Sequence, residues 1–276
     1  MQAYVIKETD AMSTCAENII KHLRKMGNRD IATHSLRFFK TGKGEYGEGD
    51  KFLGIRVPIL RKCIGEYPGL RLEDAQKLLT SPLHEARLFS LLILVREYSR
   101  KKNKKDTVYR YYLANTKHIN NWDLVDCSAE HIVGAHLFDK NRMPLYRLAR
   151  STSLWERRIA IVSTFHFIKL NDFSDTLAIA KILMNDREDL IHKAVGWMLR
   201  EVGKRDVKTL EKFLAKHCNK MPRTMLRYAI EKFHKTKRLA YLEVGKEKID
   251  RGSLRPAVAG LRRTYFTGEP AAADKH

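Results

Sequence analysis

Residues 83–92 read Leu-His-Glu-Ala-Arg-Leu-Phe-Ser-Leu-Leu, and the helical spacing of their apolar residues returns in later stretches of the chain. The equivalents of Arg87 in those stretches follow at gaps of 35, 36, 35 and 34 residues: Trp122, Arg158, Lys193 and Arg227. A period of about 35 residues, with two helices per period, is typical of HEAT-like or tetratricopeptide-like stacks. The tetratricopeptide signature is missing, so the sequence favours HEAT-like helix pairs.

Apolar residues keep this spacing in segment after segment, and no convincing alternating strand pattern is present. Turn signals such as Pro58, Ser81-Pro82 and Asn171-Asp172 separate the segments. We therefore predict an all-α fold, a HEAT-like helical-repeat solenoid with a concave basic face. The predicted helices span residues 12–26, 30–40, 58–67, 72–80, 84–100, 105–115, 120–135, 142–150, 155–169, 173–184, 189–203, 207–217, 222–234 and 237–249. Residues 41–50, rich in glycine and charge, are predicted to form an exposed loop.

The repeat register predicts a column of side chains on one surface, because equivalent positions of stacked repeats line up. We expect this column on the concave face, and its members are Arg87, Trp122, Arg158, Lys193 and Arg227. Asp126 and Trp197 come one helical turn later in the same register. Two indoles and one carboxylate are therefore expected to share a surface.

The charge balance indicates a polyanionic partner. Lysine and arginine outnumber aspartate and glutamate by 53 to 32, which gives a formal net charge of +21 and favours nucleic acid. The aliphatic run Leu91–Val95 is far shorter than the roughly 20 residues that span a bilayer, so no membrane span is expected. Lys7, Glu8 and Asp10 interrupt the stretch that a signal peptide would need. We expect a cytoplasmic protein, associated with the nucleoid through DNA.

Cysteine and histidine show no metal-binding pattern. The four cysteines are scattered without a C-x-x-C motif, which favours reduced thiols over a disulfide framework or a zinc site. The histidines form neither H-x-E nor H-E-x-x-H, and His131 and His136, five residues apart, do not suit a helical metal pair. We therefore expect no metal and no cofactor.

Trp122 and Asp126 stand at positions i and i+4 and project from the same face of a helix. Taken alone, such a pair is usually a core tryptophan beside a surface aspartate. In a strongly basic chain it also suits chemistry on a cationic base in DNA, because an indole face attracts a positively charged ring. The carboxylate would favour positive charge that develops on the sugar.

Four motifs, in this order along the chain, resemble those of the AlkD-like DNA alkylation repair family, the alkylpurine DNA glycosylases built from HEAT-like repeats. The resemblance covers roughly residues 30–235. The motifs are F-L-G-I-x-x-P at 52–58, W-D-x-V-D at 122–126, W-x-x-R-x-A-I at 155–161 and K-A-x-G-W-x-L-R-E at 193–201. The corresponding domains are residues 1–11 as an N-terminal extension, 12–235 as the glycosylase domain and 236–276 as a basic, partly flexible C-terminal extension.

The resemblance implies roles for the matching residues. Asp126 is similar to the family's catalytic carboxylate, and Trp122 and Trp197 to the aromatic pair that frames the lesion. Arg158 resembles the basic residue beside the site that engages the DNA backbone, and Arg200 resembles a family arginine that is expected near the DNA or supporting Asp126. Phe38 stands where some members have tyrosine, which keeps a stacking ring and removes a hydroxyl. Arg87, Lys193 and Arg227 are expected to bind phosphates as members of the basic column.

The leading hypothesis is monofunctional hydrolysis of cationic N3- or N7-alkylated purines from double-stranded DNA by a monomer, leaving an abasic site. An alkylated purine is already a good leaving group, so one carboxylate that stabilises the oxocarbenium-like sugar and orients water suffices. No helix-hairpin-helix signature with a lysine nucleophile is evident. A noncatalytic HEAT-repeat nucleic-acid scaffold is the alternative, although phosphate binding alone gives no reason for Asp126. A protein-binding adaptor fits the charge least.

Overall fold

The computed structural model describes residues 15–67, 69–100 and 102–244. These residues are mainly helical, and the extended backbone among them pairs only in an isolated bridge between Lys51 and Leu83. The fold is therefore an all-α helical repeat, as the spacing of apolar residues predicts. The chain separates into two compact units, with the division after His136.

Unit 1 is organised around one long central helix. Its helices are α1 (Ala16–Lys25), α2 (Arg29–Phe38), α3 (Val57–Cys63), α4 (Leu72–Leu79), α5 (His84–Arg100), α6 (Lys105–Ala114), α7 (Trp122–Asp126) and α8 (Ala135–Leu137), where the unit ends. Helix α5 is buried along most of its length because apolar residues occupy every side of it. It packs against α3, α4, α6 and α7. Elements on several sides of the unit therefore depend on α5 for their position.

Unit 2 is organised around α13. Its helices are α9 (Met143–Leu148), α10 (Leu154–Ser163), α11 (Phe165–Lys169), α12 (Ser174–Ile182), α13 (Asp189–Arg205), α14 (Val207–His217), α15 (Arg223–Ala229) and α16 (Lys235–Val244). Helix α13 buries an apolar stripe that includes Ile191, Val195, Met198 and Leu199. It packs against α10, α11, α12, α14 and α15.

Two of the predicted helices are wrong because polar side chains interrupt them. The helix predicted at 120–135 ends after Asp126 in the structure. The Ser128 hydroxyl, which lies just beyond this point, donates to the Leu124 carbonyl over 2.5 Å. A π-helical turn over Glu130–Gly134 follows. The prediction for 155–169 breaks at Thr164, whose hydroxyl donates to the Ile161 carbonyl over 2.7 Å. Short 3₁₀ turns lie at Ile64–Glu66, Lys102–Lys104, Thr116–His118 and Leu183–Asn185.

Most other boundaries agree within one to four residues. Parts of the first and last predicted helices, 12–14 and 245–249, lie outside the described residues, as do the N-terminal extension and the chain from 245 onward. The loop predicted at 41–50 is confirmed, and Lys40, Gly44 and Gly49 within or beside it take positive φ angles. Among the described residues no helix combines the length and apolar character that crossing a membrane requires.

Candidate active site

Trp122 and Asp126 lie at the two ends of the single turn that forms α7. The Asn121 side chain begins the helix by accepting the Trp122 backbone N–H over 2.8 Å. Trp122 and Asp126 are each half-buried, whereas the three residues between them are buried. The indole and the carboxylate therefore both reach the edge of unit 1 from one helical turn, while the rest of that turn anchors it in the core.

A stack of three rings supports Trp122 from within unit 1. Phe39 lies against the indole at a centroid distance of 5.3 Å with an interplanar angle of 16°. Phe52 stacks on Phe39 at 4.9 Å, and His84 stacks on Phe52 at 4.6 Å. We call Trp122, Phe39, Phe52 and His84 the aromatic stack. Because its rings come from four separate segments of chain, the orientation of Trp122 depends on the folded unit.

Phe38 adds an exposed ring at the edge of this stack. Its centroid lies 5.8 Å from Trp122 in a T-shaped arrangement with an angle of 74°. The side chain is 56% exposed although it is a large apolar group. The structure thus brings Phe38 and Trp122, two residues singled out from the sequence, into direct contact.

His84 lies between two carboxylates in the core beneath α7. Its Nε2 is 2.7 Å from Oδ2 of Asp123, and its Nδ1 is 3.2 Å from Oδ2 of Asp50. Burial disfavours the charged imidazole, but the hydrogen bonds to Asp123 and Asp50 outweigh it and raise the pKa of His84 to about 9. The ring is therefore protonated at neutral pH and donates from both nitrogens.

Arg87 completes this charged cluster. Its Nη2 donates to Asp50 over 2.5 Å, and its Nη1 donates to the Ser81 carbonyl over 3.3 Å. Burial raises the pKa of Asp50, but hydrogen bonds from His84 and Arg87 outweigh it and lower that pKa overall. Two cations and two anions therefore balance in the core, as buried charges require. Arg87 is 6% exposed, unlike a member of a solvent-facing basic column.

Glu85 fixes the backbone that carries Phe52. Its buried carboxylate accepts the backbone N–H groups of Leu53, Gly54 and Ile55 over 2.9, 2.7 and 3.2 Å. Gly54 has a φ of +79°, and a Cβ there would lie 2.0 Å from the Asn28 carbonyl oxygen. Only glycine fits this backbone. The F-L-G-I motif is thus a loop shaped by one carboxylate, and it places Phe52 in the aromatic stack.

Trp197 lies in unit 2, on α13. Its half-buried indole contacts Phe165 at a centroid distance of 5.7 Å. The preceding Gly196 lets α13 and α15 approach closely, because a Cβ at 196 would come within 2.5 Å of both the Met225 carbonyl oxygen and Tyr228 Cβ. The close packing of these helices fixes the segment of α13 from which Trp197 projects.

The basic residues predicted in unit 2 differ in exposure. Arg158 is 5% exposed, and its Nη1 donates over 2.6 Å to the Leu190 carbonyl in the first turn of α13. Lys193 is half-buried and pairs with Asp189 over 2.7 Å. Arg200 is half-buried and bonds to Glu231, whereas Arg227 is exposed on α15. Arg158, like Arg87, is too buried for the solvent-facing column that the repeat register predicts.

Sequence reasoning missed the residues that support the site. Asp50, His84, Glu85 and Phe39 received no role, although they hold Trp122 and its helix in place. One signal was present in the chain: two adjacent polar residues, His84 and Glu85, begin a helix whose middle, residues 88–95, is almost entirely apolar. Buried polar groups need partners, so such a pair indicates a network in the core.

Comparison with known proteins identifies the family. The model of the family described as DNA alkylation repair enzyme matches residues 19–233. A solved structure, named as a predicted DNA alkylation repair enzyme from Enterococcus faecalis, is similar with a TM-score of 0.57 and 17% sequence identity, over 76% of this chain and 98% of that chain. At this identity the likeness is one of fold, and no curated protein matches. Since the family model covers most of the sequence, the chain belongs to the DNA alkylation repair enzyme family.

Proposed function

We propose that this protein is a monofunctional DNA glycosylase that hydrolyses the N-glycosidic bond of cationic N3- or N7-alkylated purines in duplex DNA. The observation that carries the proposal is the turn of α7, which has an indole at one end and a carboxylate at the other. The aromatic stack and the pair of His84 with Asp123 hold that turn. Membership of a DNA alkylation repair family supports DNA as the substrate.

Asp126 is the proposed catalytic residue. When the bond from C1′ to the purine breaks, its electron pair goes to the base and neutralises the charge that alkylation created. Positive charge then develops on the sugar, and a carboxylate held nearby stabilises it. Water supplies the oxygen that bonds to C1′, and Asp126 or solvent accepts the proton that this water loses. An abasic site and a free base result.

Trp122 is the proposed contact to the damaged nucleotide. An indole attracts a cationic nucleotide by about 0.5–2 kcal/mol, depending on how far water is excluded. Since Phe39 stacks on it, the indole is held in place before DNA binds. The indole therefore loses less orientational freedom on binding DNA than a mobile side chain would.

The remaining predicted residues divide into direct and indirect roles in this proposal. Phe38, Lys193 and Arg227 have exposed atoms and are proposed to touch DNA, and Trp197 is proposed as a further aromatic contact. Arg87 and Arg158 are buried, so we propose that they position neighbouring elements. Arg158 would do so through the first turn of the helix that carries Trp197. Arg200, already bonded to Glu231, is proposed to exchange that partner for a phosphate.

The decisive experiment compares the wild type with Asp126→Asn on duplex DNA that contains one N7-methylguanine. Free base and bound DNA are measured on matched samples, with spontaneous depurination subtracted. Asn keeps the shape and removes the charge, so base release should fall about 100-fold or more while binding persists. Asp139→Asn, an exposed aspartate of unit 2, is the matched control and should behave as wild type. Binding without release by the wild type would instead favour the noncatalytic scaffold.

A further inference from the structure

A basic cleft of about 490 Å³ opens in unit 1 between α3 and α5. Its lining includes five side chains that are cationic or can become so: Arg61, Lys62, Arg96, Arg100 and His131. No carboxylate is found among the described residues that line it. Like charges gathered in one concave site repel one another, so the cleft is electrostatically suited to an anion.

Arg96 forms a fixed part of the wall. Its Nη2 donates to the Tyr67 carbonyl over 2.5 Å, and its Nη1 bonds to the Ile64 carbonyl. Burial lowers the pKa of Arg96, nearby Glu97 opposes that change and Arg100 adds to it. The last effect means that the positive charges of Arg96 and Arg100 act on each other. An anion between them would relieve the repulsion.

Other cations of the cleft remain available to a ligand. Lys62 and Arg100 are exposed, and neither forms an ion pair within the described chain. Arg61 is also exposed, and it interacts with the thiol of Cys127 on the wall of the cleft. Each arginine can donate two parallel N–H hydrogen bonds to phosphate oxygens, which a lysine cannot do.

Cys127 belongs to the cleft as a neutral group. Burial, reinforced by Asp123 and opposed by Arg61, raises the pKa of its thiol to about 11. The thiol is therefore protonated at neutral pH and is a poor nucleophile. The arrangement suits reversible binding of an anion rather than covalent chemistry.

The cleft is adjacent to the proposed catalytic residue. Cys127 directly follows Asp126, and neighbouring Cα atoms are about 3.8 Å apart. A volume near 490 Å³ exceeds what one phosphate needs and leaves room for attached sugars. The charge of Asp126 acts on the Cys127 thiol. Phosphate held here would contact Cys127, one residue along the chain from Asp126, and the cations of the cleft would offset the repulsion between that carboxylate and the DNA backbone.

We propose that this cleft is a phosphate-binding site, and that it takes a backbone phosphate of the DNA bound at Asp126. The choice of DNA as the source rests on the proposed function. The same cations would also accept a free phosphate or a mononucleotide, and the experiment must separate these sources.

The test combines Arg61→Gln/Arg100→Gln with DNA in which single phosphates are replaced by neutral methylphosphonates. In the wild type, one replacement close to the lesion should weaken binding about tenfold, as loss of a charged contact does. In the variant, the same replacement should cause no further loss. The slope of log K against log salt should also be smaller by about 1. Arg110→Gln/Lys117→Gln is the control, because it removes two exposed charges of unit 1 outside the cleft. It should keep the tenfold methylphosphonate loss and the salt slope of the wild type.

Equal methylphosphonate losses in wild type and variant would exclude a DNA phosphate from the cleft. Calorimetry with inorganic phosphate and with a mononucleotide then tests whether the cleft binds free anions. Binding by the wild type that is lost in Arg61→Gln/Arg100→Gln supports a site for free anions. No binding by the wild type overturns the proposal. Arg100→Gln alone repeats the test without disturbing the contact of Arg61 with Cys127. If the methylphosphonate effect holds but no alkylated base is released, the glycosylase proposal fails and the phosphate site stands.

Discussion

Nε2 of His84 lies 2.7 Å from Oδ2 of Asp123, the residue that directly follows Trp122. One side chain thus links α5, the central helix of unit 1, to the turn that presents the indole. Because the imidazole is buried and protonated, the link is an ion pair as well as a hydrogen bond. The pair gives the site a dependence on pH that does not involve the reacting groups.

His84→Gln should reduce stability most at and below pH 6.5 and least above pH 9. The pKa of His84 is raised from 6.5 to about 9, so its stabilisation is complete below the unfolded value and is lost as pH rises through the folded value. The shift corresponds to up to about 3 kcal/mol. Urea unfolding of both proteins at pH 6.5 and 9.5 measures the difference, and His34→Gln, on an exposed residue, is the control. A gap that stays constant with pH would contradict the assignment.

Glu85→Gln should destabilise unit 1 although it changes only one atom. The amide nitrogen would face backbone N–H groups that the carboxylate now accepts, which leaves buried donors without partners. A loss of about 2–4 kcal/mol is expected. Glu73→Gln makes the same change on an exposed residue of α4 and should have little effect. The midpoints of denaturant unfolding measure both losses of stability. Equal midpoints for the two variants would rule out this role for Glu85.

Gly196→Ala should destabilise unit 2 by about 1–3 kcal/mol, despite the better helix propensity of alanine. The new methyl group would lie 2.5 Å from the Met225 carbonyl oxygen and from Tyr228 Cβ, so α13 and α15 would have to separate. Gly65→Ala is the matched control, because a Cβ there meets nothing within 4 Å. Thermal unfolding should show a lower Tm for the first variant only. An unchanged Tm would show that the two helices adjust without cost.

Phe38→Ala should weaken DNA binding with little change in stability. The ring is 56% exposed, yet it contacts Trp122, so its removal takes away contact surface rather than core. A loss of about fivefold in affinity, on the order of 1 kcal/mol, is expected, and Phe38→Tyr should keep the affinity. Leu36→Ala removes another exposed apolar group from the same helix, about 200° away around its axis. Equal affinities for both alanine variants would remove Phe38 from the proposed DNA surface.

Most helices can be predicted from the sequence, because a helix that packs against a core needs apolar residues at helical spacing, and the sequence shows that spacing. The prediction fails at Ser128 and Thr164, where a hydroxyl bonds to a backbone carbonyl within the apolar pattern and ends a helix. Such bonds depend on side-chain rotamers that spacing does not reveal.

The candidate site likewise contains local relationships that the sequence predicts and long-range contacts that it does not. Trp122 and Asp126 are separated by one turn, and such local relationships can be predicted from spacing. The contacts of His84 with Asp50 and Asp123 join residues 34 and 39 positions apart, and only the folded chain brings them together. Burial of Arg87 follows from those contacts, which explains why a repeat register alone misplaces it on the solvent side.

The loop over residues 40–49 has a consequence for protein engineering. Phe39 before it and Asp50 after it both contact His84, so its ends are already held together by the core. Each doubling of loop length then costs only about 0.6 kcal/mol. The space around Gly44 is open, since a Cβ there would meet nothing within 4 Å, and an insertion directly after Gly44 keeps the glycine that its φ of +78° favours. A reporter peptide inserted there would leave the core intact and would report, six residues along the chain, on the proposed contact of Phe38 with DNA.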